Sequence, residues 1–186
     1  MNIEIVSGSA RKSSLTFRLA LYLQRILKES TLHKVNIIDV RDWEFSQHQE
    51  GVYSSADKAI EIHKPLAERM FAADAFIMVS PEYNGSYSPF LKNLFDHFPK
   101  QMHKAFGIVT GSPGAMGGIR ASLQMQDLVA ALFGIASPYM MITPMVDQKF
   151  SVEGELIDKS FQGMADTFIS EFLWLAEKMD RNLMRA

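Results

Sequence analysis

The chain has 186 residues, enough for one domain with a large buried core and no need of cross-links. It has no cysteine, which excludes disulfides, thiolate-held metal or iron–sulfur sites and thiol catalysis; 19 basic and 21 acidic residues give a net charge of −2, with no sign of nucleic-acid or membrane-surface binding. No window reaches the ~18 consecutive apolar residues of a membrane span, and Met1-Asn2-Ile3-Glu4-Ile5 lacks the pattern of a signal peptide, so a cytoplasmic protein is expected.

Residues 2–7 (Asn-Ile-Glu-Ile-Val-Ser) read as a first strand, short and β-branched. A helix is expected over 14–29, with Leu15, Leu19, Leu23, Ile26 and Leu27 on one face. Val35, Ile37, Ile38 and Val40 suggest a second strand. The polar stretch 41–58 carries Trp43, Phe45 and Tyr53, and a loop of that length in a compact domain usually has a function. A helix is expected over 60–72, with Ile62, Leu66 and Met70 on one side and Pro65 as a kink or a start. The run 75–80 is apolar throughout, as in a strand buried on both faces. Turn chemistry fills 81–89, where Asn84-Gly85 favours positive φ. A helix follows over about 89–97, with Pro89 allowed in its first turn. Strand 105–110, a glycine-rich loop 111–118 and a helix 119–133 closed by Gly134 come next. The chain ends with a strand over 139–146 and a helix over 158–182 that carries Phe161, Ala165, Phe168, Phe172, Leu175 and Met179 on one face.

Strands alternating with helices imply a mostly parallel sheet covered on both faces. Three unusual loops, 8–14, 81–88 and 111–118, each follow the C-terminal end of a strand, and in an open α/β sheet ligands bind along that edge. In the first loop Arg11 offers charge-assisted donors, Ser9, Ser14 and Thr16 offer hydroxyls, and the following helix N-terminus offers free N–H groups. That set suits a phosphate; it equally suits a Ser-rich helix cap with a solvated Arg. The loop is neither a Walker A motif nor Gly-x-Gly-x-x-Gly. The second loop can flank a planar heteroaromatic ring or be a plain turn. The four glycines of the third let a ligand approach bare backbone, and its N–H groups, with the next helix N-terminus, can stabilise negative charge on a ring.

Gly8-Ser9-Ala10-Arg11-Lys12-Ser13-Ser14, then Pro81-Glu82-Tyr83-Asn84, then the run from Ser112 to Ala121, resemble the NAD(P)H-dependent FMN reductase family of flavodoxin-like fold, in order and spacing, over nearly the whole chain. The resemblance implies a single domain over 1–186, a three-layer α/β/α sandwich with a five-stranded parallel sheet in the order 2-1-3-4-5. It implies FMN as cofactor, its phosphate held by Ser9, Arg11, Ser14 and Thr16 with Leu15 beside them. Pro81, Glu82, Tyr83 and Asn84 would border the isoalloxazine. Ser112, Pro113, Gly114, Ala115, Met116 and Gly117 would lie by its pyrimidine side. It implies NADPH or NADH as co-substrate, a small-molecule electron acceptor (quinone, azo compound, free flavin or metal ion), and a homodimer or homotetramer.

Thr16 stands where the family often has Asn, and Phe90 where it often has a small residue, in the helix that commonly forms the oligomer contact. Hydride transfer between stacked rings needs binding and orientation from the protein, so no acid or base residue of the usual kind is expected. His33, His48, His63, His97 and His103 make no metal-spaced pair, and no metal site is expected. Trp43, Phe45 and Tyr53 either cap a flavin site or pin their loop to its own core, and Arg120 either reaches a cofactor phosphate or is solvated. A non-enzymatic electron carrier of flavodoxin type is the alternative; such carriers tend to be strongly acidic, unlike this chain.

Overall fold

The computed structural model describes residues 1–46 and 51–180. Parallel strands β1 (Asn2–Ser7), β2 (Lys34–Asp39), β3 (Ala75–Ser80) and β6 (Ala105–Gly111) form the sheet in the order β2-β1-β3-β6. Between β3 and β6 a two-stranded hairpin, β4 (Glu82–Tyr83) and β5 (Ser86–Tyr87), stands apart from the sheet. The fifth position is shared. β7 (Ile135–Ala136) pairs with Ala105–Phe106 at one end of β6, and β8 (Met141–Thr143) pairs with Val109–Gly111 at the other. Of the strand expected over 139–146 only Met141–Thr143 forms, and Ile135–Ala136 is a further short strand ahead of it. The chain leaves the edge near Ser137, whose N–H still donates to the Phe106 carbonyl at 2.7 Å.

Side-chain alternation along the buried strands feeds two separate cores. Ile3, Ile5, Ile77, Val79 and Val109 face α1 (Phe17–Ser30) and α6 (Gln162–Lys178), meeting Leu19, Leu23, Phe168 and Phe172. Val6, Phe76, Met78, Phe106 and Ile108 face α2 (Lys64–Ala72), α3 (Pro89–Asp96) and α4 (Ile119–Ala131), meeting Leu66, Leu94, Phe95 and Met125. A single helical turn, α5 (Val146–Lys149), follows β8 and buries Val146 in the first of these cores. Glu4 of β1 is buried and charged: its carboxylate takes the Arg69 guanidinium from α2 at 2.5 and 3.2 Å.

Local chemistry moves several boundaries. Helix α1 begins at Phe17 and not near residue 14, because the Ser14 hydroxyl accepts the Phe17 N–H at 3.2 Å and leaves Leu15 and Thr16 in a preceding turn. Strand β2 stops at Asp39, whose carboxylate accepts the Arg41 N–H and starts a 3₁₀ turn that takes in Val40. Residues 61–63 are likewise 3₁₀, so α2 starts at Lys64, with Pro65 in its first turn; Ile62 faces solvent and is not on the packed side. Helix α4 closes with Phe133 in the left-handed region (φ 58°). Gly134 is needed for a different reason from the expected cap: a Cβ there would lie 2.5 Å from the Phe106 ring. The last two residues of the helix expected over 158–182, and His48, lie outside the described residues.

The long loop is tied down by aromatic packing. The Phe45 ring packs against both those of His63 and His97, at centroid distances of 4.3 and 4.4 Å. The His63 Nε2 is 2.9 Å from the Glu44 carbonyl, which can only accept, so Nε2 carries the proton and Nδ1 accepts from the Tyr53 hydroxyl at 2.8 Å. Phe45 and Tyr53 therefore pin the loop to its own core. Burial pushes the His63 pKa below its ordinary value of 6.5; the Glu44 hydrogen bond opposes this and the nearby His97 adds to it. A histidine whose folded pKa is depressed contributes stability above the unfolded pKa and loses it as pH falls toward the folded value. Between about pH 7.5 and about pH 5 the wild type should therefore lose more stability than His63→Phe, read as the shift in urea midpoint between the two pH values for each protein.

Candidate active site

Loop 8–16 leaves β1 and curls back before α1. Ser9 and Thr16 are buried, and the Ser14 and Thr16 hydroxyls lie 3.3 Å apart. The N–H groups of Ser13, Leu15 and Thr16 have no hydrogen-bond partner among the described residues, while those of Leu19 and Ala20 already donate to the Thr16 carbonyl. Free N–H donors, two hydroxyls and the Arg11 guanidinium together fit a phosphate monoester in their chemistry. These residues line a cleft of about 570 Å³, within the ordinary range of small-molecule sites. The Arg11 guanidinium lies 4.9 Å from the centroid of the Tyr83 ring, linking the first loop to the second.

The second loop is the β4–β5 hairpin. Its two-residue turn, Asn84-Gly85, has φ values of 52° and 84°, as the expected tight turn requires. The third loop is clamped to the chain beyond β8: the Ser112 N–H donates to the Thr143 carbonyl at 3.2 Å and the Val146 N–H to the Ser112 carbonyl at 3.1 Å. Gly117 has φ 61°, and a Cβ on it would lie 2.7 Å from the Pro144 nitrogen, so only glycine fits. The N–H groups of Ala115 and Met116 remain free among the described residues.

Ten of the sequence-predicted residues line the cleft together: Ser9, Arg11, Ser14, Leu15 and Thr16 from the first loop, Pro81, Glu82 and Tyr83 from the second, Ser112 and Pro113 from the third. Asn84 lies instead on a shallower depression with Ser86 and Tyr87. Gly114, Ala115 and Met116 are exposed and Gly117 is buried, and none of the four lines the cleft. The expectation that the α4 N-terminus is open to a ring's negative charge is corrected: its first turn is already satisfied. Glu82 Oε2 accepts the N–H groups of Arg120 and Ala121 at 3.0 and 3.4 Å, and Ile119 and Ser122 donate to the Met116 and Gly118 carbonyls. Arg120 pairs loosely with Glu82 at 3.9 Å, with its side chain largely in solvent.

Arg41 is the chief residue that sequence reasoning missed. Its Nε donates to both oxygens of buried Asp39, at 3.0 and 2.9 Å, and its Nη2 bonds the same carboxylate. Its Nη1 donates to the Lys12 carbonyl at 3.1 Å, and the guanidinium stacks on the Phe17 ring at 4.4 Å. Asp39 raises the Arg41 pKa, outweighing the effect of burial. One signal was available: a carboxylate and a cation two residues apart just past the end of a strand on the same edge. Arg18, tied to the Phe150 carbonyl at 2.7 Å, and Val152 also line the cleft, and no local pattern marks Val152. An adjoining cavity of about 990 Å³ shares Lys12 and Arg41 and is walled by Trp43, Phe45 and Phe90. Among the described residues no cluster of three or more His, Asp or Glu side chains is placed to hold a metal ion, and no helix is long and apolar enough to cross a membrane.

The sequence profile of the family described as NADPH-dependent FMN reductase matches residues 1–145. An FMN-dependent NADPH-azoreductase of Staphylococcus aureus is 33% identical over 175 residues, spanning 91% of this chain and 92% of the relative. Among solved structures, the flavoenzyme NAD(P)H:(acceptor) oxidoreductase FerB of Paracoccus denitrificans superposes with a TM-score of 0.76 at 20% identity, covering 96% of this chain and 98% of that one. A flavodoxin of Pseudomonas aeruginosa, in a single-site variant, superposes with a TM-score of 0.58 at 15% identity, covering 92% and 99%. The last two likenesses bear on the fold alone.

Removing Arg41 leaves the Asp39 carboxylate buried without its cation. Arg41→Met should cost about 2 kcal/mol, less than the ~3–5 of a fully buried pair because the arginine is partly exposed. Asp39→Asn in the same chain should restore part of the loss, as measured by urea denaturation of the single and double variants.

Proposed function

Because the chain belongs to the NADPH-dependent FMN reductase family, we propose that it takes electrons from NADPH or NADH and passes them to a small acceptor, a quinone, azo compound, free flavin or metal ion, the two substrates using one cleft in turn in a ping-pong cycle. The observation that carries this reading is the convergence, in one cleft, of an unsatisfied N–H and hydroxyl cradle with the hairpin and glycine-rich loop of two neighbouring strands. When bound, FMN supplies two-electron chemistry, taking a hydride from the nicotinamide and yielding two electrons to the second substrate.

In this proposal Ser9, Arg11, Ser14, Leu15 and Thr16 hold the phosphate. Pro81, Glu82 and Tyr83 flank the ring, with Asn84 beside them on the adjoining depression, and the segment from Ser112 to Gly117, which enters the cleft through Ser112 and Pro113, borders its pyrimidine side. The free N–H groups of Ala115 and Met116 are the donors available to a ring oxygen. No side chain is assigned a proton-transfer role. The whole chain is taken as one FMN-binding domain. A homodimer or homotetramer is part of the same proposal, supported by Phe90, which is 48% exposed on α3, as is a cytoplasmic setting where nicotinamide nucleotides are available. The family and its azoreductase relative favour an enzyme over a passive electron carrier.

Anaerobic addition of NADPH or NADH to FMN-loaded protein should bleach the visible flavin absorbance before any acceptor is present; absorbance that persists would overturn the reading. Arg11→Ala should raise the FMN dissociation constant about tenfold or more, as a charge-assisted hydrogen bond of ~1.5–3 kcal/mol implies. Turnover at saturating FMN should fall far less, which a titration of rate against FMN concentration separates.

A further inference from the structure

Glu82 occupies an unusual position. The residue lines the cleft, and two hydrogen bonds fix its carboxylate on the first turn of α4, a helix of 13 residues whose N-terminus carries roughly half a positive charge. A full negative charge placed there more than cancels the dipole. Arg120, with its guanidinium 3.9 Å away and 72% exposed, offsets part of it, as exposed pairs do, whereas Glu82 itself is 18% exposed. At the mouth of a site read above as holding FMN, the net local charge from α4 and Glu82 is therefore negative. Reduced FMN carries more negative charge than oxidised FMN near neutral pH, and the carboxylate acts against that increment.

We propose that Glu82 is a positioning and potential-setting residue: its carboxylate, clamped on the α4 N-terminus at the edge of the cleft, weakens the binding of reduced FMN relative to oxidised FMN and so keeps the bound cofactor strongly reducing. The same two hydrogen bonds hold the β4–β5 hairpin against the start of α4, 38 residues further along the chain, so the residue has a structural and an electrostatic part. The amide of Glu82→Gln preserves the acceptor and removes the charge; Glu82→Ala removes both.

This inference rests on the FMN reading, and its test reads that first. Dissociation constants for oxidised FMN come from fluorescence titration, and midpoint potentials of the loaded proteins from anaerobic dye equilibration. Glu82→Gln should tighten reduced over oxidised FMN about tenfold, a rise of ~30 mV for a two-electron couple. Arg120→Gln, at an exposed side chain that the fold does not need, should shift the ratio by a smaller factor in the opposite direction. An unchanged potential in Glu82→Gln, whether or not Glu82→Ala shifts it, would overturn the electrostatic role and leave only a clamp. A wild-type chain that binds no FMN would overturn the underlying function as well, whereas wild-type binding with an unmoved potential in Glu82→Gln overturns this inference alone.

Discussion

Register in the central parallel strands is the constraint on which the cleft depends. Ser7 at the end of β1 pairs with Asp39 on one side and Val79 on the other; Val79 pairs with Val109, and Thr110 with Ile142. Strands locked in this way end level, ~4.8 Å apart, so the loops that follow them emerge side by side. A slip of one residue would turn Ile5 and Ile77 from the α1–α6 core to the opposite face, and two fully packed cores forbid it. The hydrophobic pattern of the strands thereby sets the height at which Ser9, Pro81 and Ser112 meet.

That link explains which parts of the molecule can be read directly from the chain. Ala75-Phe76-Ile77-Met78-Val79 is unbroken apolar sequence because both of its faces are covered, and its assignment needs no partner to be known. Asn84-Gly85 is similarly local, since positive φ is a property of those residues themselves. The interrupted edge is different. Tyr139 to Val146 looks like a strand, but the pairing there is decided by where β6 offers free carbonyls, and Pro138 and Pro144 lie on either side of the three residues that use them. Arg41 and Glu82 eluded full interpretation for the same reason. Their partners, the Lys12 carbonyl and the first N–H groups of α4, lie 29 and 38 residues away in sequence and become neighbours only through the sheet.

The cations around the cleft divide by their existing commitments. Arg41 is neutralised by Asp39, whereas Arg18 is held in place by main-chain carbonyls and keeps its charge, as does Lys12 in the first loop, which has no carboxylate partner among the described residues. Arg120 faces Glu82. Arg11 has a ring contact with Tyr83 and no carboxylate partner among the described residues, which leaves its charge available to an anion. A cation already paired gains little from a phosphate, because the new interaction competes with the old one and with solvent. Arg11 and Lys12 put that available charge in the same loop as the free N–H groups, with Arg18 close by on α1.

The two ends are also fastened differently. Loop 8–16 is braced from outside by Arg41, which reaches it from the 3₁₀ turn after β2, so its geometry follows the β1–β2 half of the sheet. The glycine-rich loop is braced by the chain beyond β8, with Gly117 seated directly on the Pro144 backbone, and through Glu82 the hairpin shares that support. On the function proposed above, the first half governs how tightly the cofactor tail is held and the second governs the environment of the ring. The halves meet where the Gly8 N–H donates to the Val79 carbonyl at 2.8 Å, where Gly111 lies against Thr16 and Leu19, and where Arg11 stacks on Tyr83, so a shift in one half is felt in the other. Met116, 62% exposed on the glycine-rich loop, touches neither anchor and can differ in size and polarity at little cost to the fold.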